Sequence, residues 1–173
     1  ISNSQGVGKT TLAEHILRPL VGDNNVSYPT EGDVVDTKFN TWIEAKRLAI
    51  IAEIYAGHSS KAANNLKQPI TDKTIEIRRK YMDEYSIPNW IHIIASSNDE
   101  RAIKVDNTDR RWLVPEVTEE VKPSEWWNEF YSWLNEKDGL GIIKQWAVDY
   151  TNKKGAVAEY EIAPITSRKK QII

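Results

Sequence analysis

The chain has 173 residues, 40% of them hydrophobic and 28% charged, which is typical of one globular domain or one domain with an appendage. Its formal net charge of −2 provides no global basic field, so binding to nucleic acid would require a local basic patch. The absence of cysteine excludes disulfides and thiolate metal sites, and no apolar run approaches the ~20 residues of a membrane span, so we expect no membrane partner.

The first feature of the chain is a glycine-rich loop that matches the end of the phosphate-loop pattern G-x-x-x-x-G-K-[ST], with Asn3 where that pattern has its first glycine. Its glycines allow backbone N–H groups to point at phosphate oxygens, Lys9 would neutralise the β- and γ-phosphates, and the Thr10 hydroxyl would ligate Mg²⁺. We therefore predict an ATP and Mg²⁺ site formed by Gly6, Val7, Gly8, Lys9, Thr10 and Thr11. The simpler alternative is a glycine-rich turn at the start of a helix.

Helical periodicity follows the loop. The spacing of Leu12, Ile16 and Leu20 predicts an amphipathic helix, which Pro19 and Gly22 are expected to close. A turn at residues 23–25 and a short strand at residues 26–28 come next. Asp36 or Thr37 is then expected to cap a second helix, which carries the apolar residues Phe39, Trp42 and Ile43.

The apolar run from Leu48 to Ala52 has the length and composition of a strand buried on both faces, as in a parallel sheet. Glu53 ends this run, where a carboxylate can help to hold Mg²⁺ and activate the attacking water. Alternatively, Glu53 is only the first exposed residue after a core strand. Many phosphate-loop motors have two acids in tandem here, and Ala52 occupies the first position, so reduced hydrolysis is one expectation.

The middle of the chain predicts a helix from Ser59 or Ser60, which Gly57 precedes and Pro69 ends. Alternation then predicts a strand over Thr74 to Tyr81, with Ile75, Ile77 and Tyr81 on one face and Arg78 and Lys80 on the other. Further strands are predicted at Trp90 to Ala95 and Trp112 to Val114, and further helices at Ser124 to Asn135 and Leu140 to Asn152. Strands that alternate with helices predict an α/β fold with a mainly parallel sheet.

Two polar motifs accompany these strands. Asn98 follows the Trp90 strand, where an amide can hydrogen-bond the attacking water or the γ-phosphate, although an Asn in a turn is also common. Arg110 and Arg111 follow Asp109, and an arginine offered to a neighbouring subunit would stabilise transition-state charge. A surface Asp–Arg pair is the structural alternative.

In this order the motifs resemble the superfamily 3 helicases of the AAA+ class, especially the helicase domains fused to primases in phages and mobile elements. The matching stretches are residues 6–11, 48–53, 66–80, 93–98 and 109–111. The resemblance implies an AAA+-like P-loop NTPase core at residues 1–118, with a mainly parallel central sheet flanked by helices. Residues 119–173 would form a small C-terminal helical part and tail. A phosphate loop normally follows a strand, so we also expect that this is a fragment of a longer protein.

The resemblance further implies a homohexamer that hydrolyses ATP between subunits and moves along single-stranded or forked DNA in replication. It implies a primase domain upstream, a cytoplasmic location in a bacterial host, and a loop or hairpin around residues 70–81 that points into the central channel. Glu53, Asn98, Arg110 and Arg111 are its catalytic candidates, and Thr10 and Glu53 its metal ligands.

The densest basic cluster before the C-terminus supports the DNA-binding loop. Tyr81 could stack on a base beside four basic residues that could contact phosphates, although such a run is often only a solvated face: Lys73, Arg78, Arg79 and Lys80. The tryptophan-rich stretch at residues 126–146 is interpreted as core of the C-terminal helical part. Residues 168–170 are interpreted as an exposed basic tail.

These observations favour an ATP-driven DNA helicase or translocase. The alternative that Ala52 suggests is a nucleotide-gated DNA-binding ring or loader with weak hydrolysis. A phosphate-loop kinase is a third class, which would give no role to Arg110 and Arg111.

Overall fold

The computed structural model describes residues 1, 4–54, 59–99, 102, 105–106, 108–155 and 162–173; Asn3 and Gly57, discussed above, lie outside these ranges. The strands are β1 (Val26–Ser27), β2 (Leu48–Ile51), β3 (Thr74–Ile77), β4 (Tyr85–Pro88) and β5 (His92–Ala95). A central parallel sheet has the order β1-β2-β5, and β3 and β4 form a separate antiparallel hairpin. The fold is therefore mixed α/β with a small parallel sheet, as the sequence predicts.

Helices surround this sheet. The α-helices are α1 (Arg18–Val21), α2 (Glu31–Val35), α3 (Ser59–Asn65), α4 (Lys67–Thr71), α5 (Ser124–Glu136), α6 (Gly139–Lys154) and α7 (Ser167–Ile172). A π-helix, Thr11–Leu17, precedes α1, and short 3₁₀ turns occupy Asp23–Asn25 and Thr41–Ile43. None of the helices in the described ranges is long and apolar enough to cross a membrane.

Strand β2 is the centre of the core. All of its residues are buried, with Leu48 and Ile50 in the apolar cluster of the π-helix residue Ala13. The alternate residues Ala49 and Ile51 belong to clusters on the opposite face. The prediction of a strand buried on both faces is therefore confirmed.

The hairpin corrects the prediction of one strand from Thr74 to Tyr81. Ile75 and Ile77 are buried as expected, but β3 ends at Ile77 because the chain must turn to pair with β4. Tyr81 lies in this turn with a φ of +62° and 92% of its surface exposed, so it does not share the buried face of Ile75 and Ile77. Arg78 and Lys80 therefore do not lie on one face of a strand.

The predicted helix start at Asp36 or Thr37 is wrong. The helix lies earlier, as α2, because Thr30 and Asp33 form a reciprocal capping box in which the Asp33 N–H donates to the Thr30 hydroxyl oxygen at 3.2 Å. The expected ends at Pro19 and Pro69 are also wrong. Pro19 lies where the π-helix passes into α1, and Pro69 lies in the first turn of α4, where its missing N–H costs nothing. Gly22 does close the first helix.

The predicted strand at Trp112 to Val114 is absent from the described residues, because side chains satisfy this backbone instead of a neighbouring strand. The Trp112 N–H donates to Asp109 at 2.9 Å, and the Val114 carbonyl accepts from the Thr166 hydroxyl. The helices predicted at Ser124 and Leu140 are present as α5 and α6.

The tryptophan-rich C-terminal helices are less buried than the sequence suggests. Trp126 is 41% exposed and Trp146 is 64% exposed, whereas Leu134 on α5 is buried. Helices α5 and α6 pack closely at Gly139, where a Cβ atom would lie 2.7 Å from the Leu134 Cα atom. The aromatic residues thus form one layer on α5 and a stacked pair on α6 rather than a closed core.

The basic tail is only partly exposed: Lys170 is exposed as predicted, but Arg168 is half-buried and Lys169 is buried. Lys169 has no exposed surface, and its ammonium group donates to the carbonyl oxygens of Asp109 at 2.7 Å and Trp112 at 2.8 Å. A carboxylate oxygen of Asp109 lies 3.4 Å away. The long aliphatic stem of lysine lets α7 place a charge under this loop while its methylenes fill apolar space. The last helix is therefore tied to the part of the chain around residue 110.

Replacement of Lys169 by Met should lower the free energy of unfolding by about 3 kcal/mol, because it leaves buried acceptors and a carboxylate without their cation. Urea denaturation measures this loss. Lys170→Met is the matched control, since Lys170 is exposed on the same helix, and it should cost less than about 0.5 kcal/mol. Equal effects of the two substitutions would contradict the structural role of Lys169.

Candidate functional site

The glycine-rich loop has the backbone that anion binding requires. Gly6 and Gly8 have φ values of +75° and +91°, the left-handed region that turns successive N–H groups to one side. The helix begins directly after them, with Thr10 in the helical region and the Leu12 N–H donating to the Gly8 carbonyl at 3.0 Å. The local geometry therefore fits a bound phosphate group.

Lys9 connects the loop to the central sheet. Its ammonium group donates to the Asn98 side-chain oxygen at 2.6 Å and to the Ser4 carbonyl at 3.0 Å. Asn98 follows β5, so two residues that are 89 positions apart in the chain meet at one point. The structure thus brings together the predicted phosphate-binding lysine and the predicted polar sensor.

Glu53 emerges at the same edge of the sheet. The chain after β2 is tied to the chain after β5, because the Ser96 N–H donates to the Ile51 carbonyl at 3.0 Å and the Ser97 hydroxyl donates to the Ile54 carbonyl at 2.9 Å. Glu53 lies within this tied segment and is exposed. Its carboxylate therefore belongs to the sheet edge that carries Asn98, as expected for neighbouring parallel strands.

The candidate metal ligands do not form a site made of protein side chains alone. Within the described ranges, no group of three or more histidine and acidic side chains could hold a metal ion. Thr10 is exposed, and its side chain makes no capping hydrogen bond. One hydroxyl, a nearby carboxylate and bound phosphates are a donor set that fits Mg²⁺, which keeps several of its waters.

Helix α5 covers the loop, which the sequence did not indicate. A Cβ atom on Gly8 would lie 3.0 Å from the Trp127 ring, and the Tyr131 hydroxyl lies 2.9 Å from that of Thr11. A cavity of about 280 Å³ that opens to solvent is lined by residues 6–11, Trp127 and Tyr131. The i, i+4 spacing of the two aromatic residues places them on one helix face, but periodicity does not indicate what that face contacts.

The two candidate arginine fingers have different environments. The Arg111 N–H donates to Asp109 at 3.0 Å, and its guanidinium lies 3.5 Å from the same carboxylate. The Arg110 side chain is exposed, and its backbone carbonyl accepts from the Ala163 N–H at 3.0 Å. Arg111 therefore belongs to the loop's internal structure, whereas Arg110 faces outward.

Asp109 organises this loop as a carboxylate. Burial raises its pKa, but hydrogen bonds from the backbone N–H groups of Trp112 and Arg111 and from the Lys169 ammonium outweigh burial, so the pKa is lowered. The charged form is thus the one that the folded loop favours.

The basic residues of the hairpin are not equivalent. Arg79 donates from Nε and Nη2 of its guanidinium to the two carboxylate oxygens of Glu44. This contact, together with a hydrogen bond from the Tyr85 hydroxyl, lowers the pKa of Glu44. Arg78 lies 3.5 Å from the carboxylates of both Glu76 and Glu84.

Lys80 lies at the exposed tip of the hairpin, with its ammonium 4.9 Å from the centre of the Tyr81 ring, and Lys73 is exposed just before β3. The structure therefore leaves Lys80 and Tyr81 as the outward pair of this cluster.

Comparisons with known proteins show which family and which phage protein this chain resembles. Residues 1–111 match a family of unknown function (DUF5906). A "DNA Primase-polymerase" of Nitratiruptor phage NrS-1 is 31% identical over 141 residues, which cover 79% of this chain and 19% of that protein. The chain thus spans about a fifth of the length of this curated relative.

Solved structures of the NrS-1 C-terminal region (305–718) have a similar fold. The apo structure superposes with a TM-score of 0.75 at 28% identity and covers 98% of this chain and 40% of that one. A second crystal form, the A form, gives a TM-score of 0.70 at 25% identity, with 98% and 39% coverage. The likeness therefore extends to the C-terminal helices, beyond residues 1–111.

Proposed function

This chain belongs to the DUF5906 family of unknown function, and we propose that it is the ATP-dependent motor of a phage replication protein, a superfamily 3 helicase or translocase. The observation that carries the proposal is the 2.6 Å contact between Lys9 and Asn98. This contact joins Lys9 of the glycine-rich loop to Asn98, a polar residue after a parallel strand. Nucleotide hydrolysis uses a lysine to bind the phosphates and a polar residue to position the attacking water.

The loop residues Gly6 to Thr11 would hold the triphosphate of ATP by their N–H groups, with Lys9 moving from Asn98 to the terminal phosphates. Thr10 and Glu53 would hold Mg²⁺, which neutralises phosphate charge when it is bound. Glu53 would accept the proton of the attacking water, and Asn98 would orient that water. Lys9 and Asn98 are already in contact, and Glu53 follows the strand β2 that pairs with β5.

Arg110 is the better candidate for a residue supplied to a neighbouring subunit, because Arg111 is held by Asp109. A homohexamer with ATP between subunits would use it to stabilise charge in the transition state. The hairpin tip with Lys80 and Tyr81 would contact single-stranded DNA in the ring. The name of the phage relative supports a role in DNA replication, next to a primase domain, in the cytoplasm of a bacterial host.

The second candidate is a nucleotide-gated DNA-binding ring or loader with weak hydrolysis. Ala52 favours it, since this position at the end of β2 offers no second carboxylate beside Glu53. DNA-stimulated ATPase activity separates the two: a motor turns over faster with DNA, whereas a loader binds both ligands without such stimulation.

Replacement of Lys9 by Ala should weaken Mg²⁺–ATP binding by about 100-fold, because a charge-assisted contact to the phosphates is lost. Isothermal titration calorimetry measures the affinity. Lys144→Ala is the control, since Lys144 is exposed on α6, and it should bind as the wild type does. Unchanged affinity in the Lys9 variant would refute the site.

Replacement of Arg110 by Ala should preserve ATP affinity and lower kcat by about 10³-fold, the usual effect of losing an arginine finger. Steady-state ATPase assays, with and without added wild-type subunits, measure this effect. The matched variant Arg111→Ala should instead reduce thermal stability, because it removes the partner of Asp109. If Arg110→Ala hydrolyses ATP normally, a finger role for Arg110 is excluded.

Replacement of Lys80 by Ala should weaken single-stranded DNA binding and reduce the salt dependence of log K by about 0.7, the value for one phosphate contact. Tyr81→Ala should lower affinity by about tenfold with an unchanged salt slope, because stacking carries no charge. Fluorescence anisotropy over a salt series measures both. Lys144→Ala again serves as the control, and an identical slope for Lys80→Ala would argue against the hairpin contact.

A further inference from the structure

The cavity between the loop and α5 has one wall that phosphate binding does not use. The loop supplies N–H groups, a lysine and hydroxyls, whereas α5 supplies two aromatic side chains, Trp127 and Tyr131. The structure leaves Trp127 half-buried, so part of its indole surface stays accessible. A partly exposed ring beside a polar loop is suited to stack against a flat apolar ligand group.

The orientation of the loop decides which part of a nucleotide would reach this wall. Lys9, which serves the β- and γ-phosphates, points to Asn98 at the sheet edge. Thr11, further along the helix, bonds Tyr131 on α5 instead. The terminal phosphates thus belong on the sheet side, and the nucleoside belongs on the side of α5.

The aromatic wall is held in place before any ligand binds. The Tyr131 ring makes an edge contact with His15 of the π-helix, with ring centres 5.2 Å apart, and its hydroxyl bonds Thr11 at 2.9 Å. Trp127 makes an edge contact with Phe130 at 6.0 Å. A preorganised ring loses little conformational entropy when a ligand stacks on it.

We propose that Trp127 forms the nucleoside subsite of this nucleotide site: the base stacks on the Trp127 indole, while Tyr131 positions the loop by bonding Thr11 through its hydroxyl. This inference rests on the proposed nucleotide site. Stacking uses the face that every base presents, so the subsite accepts all four bases and favours purines by their larger area. The C-terminal helical part therefore contributes directly to ligand binding.

The test compares two ligands that share a triphosphate, Mg²⁺–ATP and inorganic tripolyphosphate, which has no nucleoside. Trp127→Leu should weaken ATP binding by about tenfold or more and leave tripolyphosphate affinity within about twofold. Trp127→Phe keeps an aromatic face and should retain most of the ATP affinity. Trp146→Leu is the control, since Trp146 lies on α6, is 64% exposed and stacks on Tyr150 with ring centres 5.5 Å apart.

Tyr131→Phe adds a second measurement, because it keeps the ring but removes the bond to Thr11; it should weaken both ligands by a similar factor of about threefold. Calorimetry gives the affinities, and thermal melting shows whether each variant is folded.

Several results would overturn the proposal. An equal loss of both ligands in Trp127→Leu means that the indole only supports the loop through Gly8. No loss of either ligand means that the base lies elsewhere. In both cases the wild type still binds ATP, so the proposed function survives; if the wild type binds neither ligand, both proposals fail together.

Discussion

The parallel pairing of β2 with β5 is the constraint on which the rest of the structure depends. The register sets Ile51 opposite Ala95, so both strands end at the same level. Every residue of β2 is buried, which leaves its carboxyl end as the first point where the chain can carry polar groups. Glu53 and Asn98 therefore follow the ends of two paired strands, and the Lys9 ammonium bonds the Asn98 side chain. The candidate site therefore lies where the parallel strands β2 and β5 end.

A second constraint comes from the far end of the chain. The buried Lys169 ammonium binds two carbonyl oxygens of the loop that carries the arginines, and Asp109 completes the contact as a carboxylate. A charge without exposed surface is stable only with such partners. Lys169 and Arg111 both pair with the Asp109 carboxylate, whereas the Arg110 side chain is exposed. The conformation of a loop near the middle of the chain thus depends on its last seven residues.

The basic residues of the hairpin loop fall into two groups, those paired with glutamates and those exposed to solvent. Arg78 and Arg79 directly follow β3, pair with glutamates and fix the start of the hairpin loop against residues 37–44. Lys80 and Tyr81 extend beyond them, and Tyr81 adopts a strained left-handed backbone at the tip. Within this basic run, Arg78 and Arg79 therefore stabilise the loop, whereas Lys80 lies on the surface. Within the run from Arg78 to Tyr81, the exposed residues are Lys80 and Tyr81.

By itself the sequence determined the glycine-rich loop, the buried strand at Leu48 and the C-terminal helices, because glycine pattern, apolar runs and helical periodicity are local properties. The strand predicted from Trp90 begins at His92 and is only partly buried, and Trp90 itself is 59% exposed. It also predicted that Glu53 and Asn98 follow neighbouring strands. Only the tertiary structure decided that Trp127 covers Gly8, that Lys169 is buried and that Tyr81 lies in a turn. Those outcomes depend on which distant segments of the chain meet; Lys169 and Asp109, for example, are 60 residues apart. A local pattern of polarity does not specify which distant residue a side chain will contact.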